Sequence, residues 1–179
     1  MELVASKSES DWELASAMLL EVVEWLNSKG ASLWSKDQVS TKTLRNDYQS
    51  NQLFWLSHDS KNVGLIFLMD SDPFFWPEPN LGRSLYFHKL AIHPEYAGRG
   101  FGKIALDEVR NYAISNGFEW VRLDCDDREP LHNFYSNSGY ELLDIQPMQG
   151  YVVARYQLLT SQSNSQLSAA GTARCAAPN

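Results

Sequence analysis

Residues 93–109, HPEYAGRGFGKIALDEV, set Gly98, Gly100 and Gly102 within five positions, directly before a helix-like run. Glycine tolerates positive φ and leaves its N–H exposed. A helix opening here turns its free N–H groups and the positive end of its dipole toward the loop. Arg99 and Lys103 add two positive side chains, with Phe101 between them. This combination could hold a diphosphate without a metal ion. A glycine-rich turn with no ligand is the plainer alternative.

Two nucleotide readings fail on their chemistry. A dinucleotide fingerprint needs G-x-G-x-x-G, and Lys103 stands where the third glycine should be. A P-loop puts Ala97 at its first glycine and Ile104 at the hydroxyl that ligates magnesium. The strand-like run before the loop, SLYFHKLAI (84–92), contains no carboxylate. His88 is its one side chain able to act as a base near neutral pH. Regular alternation sets it on one face with Tyr86 and Leu90. A structural histidine is the alternative.

LAIHPEYAGRGFGKIALDEV resembles the acetyl-coenzyme A binding motif of the GNAT N-acetyltransferase superfamily, a strand and bend followed by [QR]-x-x-G-x-[GA] opening a helix. The six positions are Ala97 to Gly102, and alanine departs from the pattern at the first. LDCDDREPLHNFYSNSGYE (123–141) resembles the family's second motif, a strand and then a helix bearing Phe-Tyr. Arg128 departs from its usual asparagine. The likeness spans about residues 2–159 and is strongest over 85–141. It implies a mixed α/β fold, a mostly antiparallel sheet flanked by helices and splayed at its central strands.

The implied activity is transfer of an acetyl group from acetyl-CoA to a primary amine of a small molecule, without metal. A protein or peptide N-acetyltransferase and a non-catalytic acyl-CoA-binding module are the alternatives. By the same resemblance, the backbone of Leu90, Ala91 and Ile92 would bind the pantetheine arm. Gly98, Arg99, Gly100, Phe101, Gly102 and Lys103 would surround the pyrophosphate. Tyr135 stands at the family's general acid. His88 is the candidate base on the strand, with a relay of waters or Asp124 as the alternatives. The acceptor pocket would come from the first two helices and the loop 70–82. Trp34, Trp76, Phe74 and Phe75 are its candidate walls, and Glu78 and Asp72 could bind a cation. The family often forms homodimers, and no segment here specifies an interface.

The elements that must position these residues are legible as patterns. Glu2–Ala5 suits a strand. Ser10 and Glu13 read as a capping box for a helix ended by Gly30. Ser40 would cap a short helix through Asn46. Strands are predicted at 52–57, 63–69, 84–92, 119–125, 141–145 and 151–158, the last two joined by a turn at 147–150. Helices are predicted at 103–116 and 130–137. By the same resemblance, residues 1–160 would form one acetyltransferase-like domain. Residues 161–179 lose both periodicity and hydrophobicity and read as a flexible polar tail.

Composition narrows the partners. A net charge of -7 argues against nucleic acid. No run approaches the ~18 apolar residues of a membrane span. Two cysteines, no disulfide framework and no secretory signal pattern suit the cytoplasm. The four histidines show no metal-ligand spacing with each other or with cysteine.

Overall fold

The computed structural model describes residues 1–78, 82–148 and 150–160. The predicted tail, 161–179, lies outside them. The elements run β1 (Glu2–Ala5), α1 (Asp11–Ser28), α2 (Thr41–Asp47), β2 (Leu53–His58), β3 (Lys61–Met69), β4 (Ser84–Ile92), α3 (Phe101–Ser115), β5 (Trp120–Asp126), α4 (Glu129–Ser136), β6 (Glu141–Met148) and β7 (Tyr151–Leu159). The seven strands form one sheet in the order β1-β2-β3-β4-β5-β7-β6. Every neighbouring pair is antiparallel except β4 with β5. That parallel pair needs a crossover, and α3 supplies it.

Alternation along the strands divides the apolar residues between two faces. Phe54, Leu56, Ile66, Leu85, Phe87 and Leu123 pack with Ala105 and Val109 of α3 and Tyr135 of α4. Leu53, Trp55, Leu65 and Phe67 pack with Leu19 and Val23 of α1 and Leu44 of α2. Burying aliphatic and aromatic side chains on both faces supplies the main drive for folding.

Local signals explain most boundaries. Ser40 Oγ accepts the Thr43 amide and caps α2. The predicted capping box on α1 does not form: Ser10 makes no side-chain cap. Asp11 instead accepts from the Ser6 hydroxyl and the amides of Lys7 and Ser8, tying down the chain that enters the helix. β6 also continues to Met148, through part of the predicted turn.

Two irregularities in β4 matter for function. It pairs with β5 only over Ser84–Tyr86, opposite Trp120–Arg122. Beyond that the strands part, leaving the β5-facing edge of Phe87–Ile92 without a strand partner among the described residues. On its other side the register with β3 runs Phe67↔His88 and then Leu65↔Ala91, so β4 carries one extra residue. Lys89 takes φ 49 at this bulge. A bulge interrupts the ladder and re-aims the side chains beyond it. Leu90 and Ile92 therefore pack toward the α3 side, while Ala91 joins the α1 side. This corrects the expectation that His88 shares a face with Leu90, because regular alternation fails at Lys89.

β3 accommodates the bulge with a glycine. A Cβ on Gly64 would lie 2.3 Å from the Ala91 carbonyl oxygen. Gly64→Ala should force β4 outward and cost about 1–3 kcal/mol of stability, typical of overpacking. Urea denaturation measures this, and an unchanged midpoint would mean that β4 yields freely.

Candidate active site

The gap between β4 and β5 opens into a cleft of about 990 Å³. A second groove of about 530 Å³ adjoins it. Leu33, Trp34, Leu90, Ile92, Gly102 and Phe134 line both.

The groove has the features of a phosphate cradle. Gly98 and Gly100 take φ 74 and 80, and no atom lies within 4 Å of where their Cβ atoms would be. Their open side leaves room for a ligand against bare backbone. The amides of Gly98, Arg99 and Gly100 donate to no acceptor among the described residues. Phe101 and Gly102 begin α3, so their amides lack intrahelical partners as well. Phe101 is held edge-on by Tyr96 and His58. The Arg99 guanidinium sits over Tyr96 at 5.5 Å, and Lys103 is exposed one residue past the last glycine. Leu90, Ala91 and Ile92 form the adjoining wall. These residues fit the diphosphate and arm of coenzyme A.

The deeper cleft holds an ionisable cluster drawn from three segments. His88 Nε2 lies 3.0 Å from Asp72 Oδ2 and 3.6 Å from Asp124 Oδ1. His88 Nδ1 lies 3.3 Å from the Tyr48 hydroxyl. With Nε2–H donating to Asp72 and Tyr48 donating to Nδ1, both ring nitrogens are occupied. Asp124 Oδ1 is buried and has no hydrogen-bond partner. Its lone pair is the free acceptor of the cluster. The ligating atoms of Asp72, His88 and Asp124 lie within 4.8 Å of one another, close enough to share one cation, whether proton, ammonium or metal ion.

Burial, helped by the Asp72 charge, pushes the Asp124 carboxyl up to about 6 against the opposing pull of His88. Burial also opposes charge on the His88 ring. The Asp72 hydrogen bond and the two carboxylates outweigh it and hold the imidazole above its ordinary value. Groups coupled this closely titrate as a unit.

Tyr135 reaches the cleft from α4, with its ring packed among Phe87, Tyr140 and Tyr156. Its hydroxyl takes no hydrogen bond from the described residues, and burial raises its pKa, so it stays protonated. Cys125 also lines the cleft. Burial, and then the neighbouring aspartates, push its thiol up to about 12.

One expected wall residue, Trp76, and one expected cation binder, Glu78, lie elsewhere. Trp76 is buried between Arg122 and Arg155, with their guanidinium carbons 5.4 and 4.7 Å from its ring, and it does not line the cleft. Glu78 pairs with Arg155 at 2.8 Å and also lies outside the cleft. Packing and charge pairing claim both side chains. Trp34, Phe74 and Phe75 do line it, as does Asp72. Tyr48 and Lys89, which no motif marks, also line the cleft. Arg128, where the motif has asparagine, bonds Asp126 and the Ser32 carbonyl, tethering the start of α4 to the segment after α1.

A split parallel pair, an amide-rich loop opening a helix, and a tyrosine and a carboxylate cluster lining one cleft are the features expected of an acyl-CoA-dependent acetyltransferase. The model of the Acetyltransferase (GNAT) family matches residues 19–140, and the chain belongs to that family. It is similar to the uncharacterized N-acetyltransferase YesJ of Bacillus subtilis (strain 168), 27% identical over 141 residues, 74% of this chain and 78% of YesJ. Among solved structures, a GNAT-family acetyltransferase from Listeria monocytogenes superposes with a TM-score of 0.67 at 15% identity, covering 85% of this chain and 92% of that one. A chimeric spermidine N-acetyltransferase SpeG, from Vibrio cholerae and hSSAT, gives 0.62 at 18% identity, over 90% and 97%. At such identities these structures support the fold alone. No helix among the described residues is long and apolar enough to cross a membrane.

Proposed function

We propose that the protein transfers the acetyl group of acetyl-CoA to a primary amine of a small molecule by direct attack. The observation that carries this reading is Asp124 Oδ1, buried without a hydrogen-bond partner in the cleft that Tyr135 also lines. Acetyl-CoA supplies an activated acyl group along the open edge of β4. The incoming ammonium gives a proton to Asp124, and its freed lone pair attacks the carbonyl carbon. His88, held by Asp72 and Tyr48, lies 3.6 Å from Asp124 Oδ1 and tunes how strongly Asp124 takes that proton. A main-chain N–H near Leu90 would stabilise the charge developing on the carbonyl oxygen. Tyr135 then gives its proton to the departing sulfur. The burial that weakens Tyr135 as an acid also strengthens the thiolate as a base. A covalent route through cysteine is disfavoured, because Cys125 stays a thiol.

A thiol-release assay with acetyl-CoA and a panel of small amines tests the reaction. Its pH dependence tests the base. A protonated cluster cannot accept the ammonium proton, so kcat/KM should fall as pH drops through about 6, where Asp124 titrates. A flat profile there in wild type would remove Asp124 from the role. Release of thiol only with peptides or proteins would move the acceptor to a different class.

A further inference from the structure

The acceptor lobe contains two charged groups of opposite sign that do not satisfy each other. Asp124 Oδ1 is the first. Lys89 is the second. The bulge that gives Lys89 its positive φ also puts its side chain in the cleft, with the ammonium 5.2 Å from the Trp34 ring centre. Lys89 forms no salt bridge among the described residues. An aromatic face stabilises a cation in part but supplies no counter-ion. Burial lowers the Lys89 pKa to about 8, even with Asp47 and Asp124 near enough to oppose the shift. Asp47 is exposed and accepts a hydrogen bond from Asn46.

The cofactor does not account for this lysine. Its diphosphate cradle lies at the other end of the groove, and Lys89 is not among the groove's walls. A simple monoamine would leave the ammonium without a counter-ion. A diamine would bring a second cation toward it. A carboxylate would pair with it through charge-assisted hydrogen bonds.

Resting on the acetyl-transfer reading above, we propose that the acceptor is an amino-acid-like zwitterion, its amine at Asp124 and its anionic group on Lys89. Trp34, Phe74 and Phe75 make the adjoining wall apolar, so the remainder of the acceptor should tolerate a hydrophobic side chain. Lys89 is thus a specificity-determining residue.

The test compares L-amino acids with their decarboxylated counterparts, for example phenylalanine with phenethylamine and lysine with cadaverine. In the wild-type protein the carboxylate-bearing member of each pair should have the higher kcat/KM by roughly tenfold or more. Lys89→Arg should keep the preference, Lys89→Met should erase it, and Lys89→Glu should turn it toward cadaverine. Binding of coenzyme A, followed by calorimetry, checks that each variant is folded. Decarboxylated amines acetylated as well as the amino acids would overturn this inference and leave small-amine acetylation standing. So would a preference that survives Lys89→Met. No thiol release with any amine would overturn both.

Discussion

Asp124→Asn should lower kcat by about 10²–10⁴-fold, the usual contribution of a positioned acid or base. Asparagine keeps the size and packing of the side chain and removes the lone pair that takes the proton. Cofactor affinity should change little, since Asp124 lies in the deeper cleft and not among the walls of the groove that fits coenzyme A. The acid limb near pH 6 should disappear along with the rate. A variant within a few-fold of wild type that kept the limb would transfer the proton step to solvent. His88→Gln should be milder, because His88 acts through Asp124 and both of its nitrogens are already engaged.

Tyr135→Phe is the second large effect. Loss of the proton donor should again cost about 10²–10⁴-fold in kcat. The ring remains packed against Phe87, Tyr140 and Tyr156, so the core should be undisturbed. The hydroxyl makes no hydrogen bond to the described residues, and deleting such a group removes a desolvation cost. The thermal midpoint should therefore hold or rise while turnover collapses. A parallel fall in both would mark Tyr135 as a structural residue, and unaltered turnover would show that the thiolate leaves unaided.

Much of this was legible in the sequence because it is written locally. The glycines of 98–102 declare a loop by their conformational freedom, and the helix after them declares itself by period. Tyr135 is singled out by the motif around it, and it does line the cleft. The rest is non-local. Asp72, His88 and Asp124 come from a loop and two strands, so no spacing along the chain brings them together. The bulge at Lys89 depends on Gly64 in the neighbouring strand, and without it regular alternation misassigned Leu90. Trp76 and Glu78 misled for the same reason. An aromatic and a carboxylate on a loop advertise a pocket until Arg155, some eighty residues away, is seen to hold them.

That arginine shapes the acceptor lobe. Arg155 is 3% exposed and gathers Asp144, Glu78 and the Phe75 carbonyl around one guanidinium, with Trp76 against its face. The span bearing Phe74 and Phe75 is thereby moored to β7 before any acceptor arrives. A moored wall has little freedom left to surrender on binding, so less of the contact energy is consumed in ordering it. Discrimination among amines should then follow fit to a fixed outline more than closure of a yielding one.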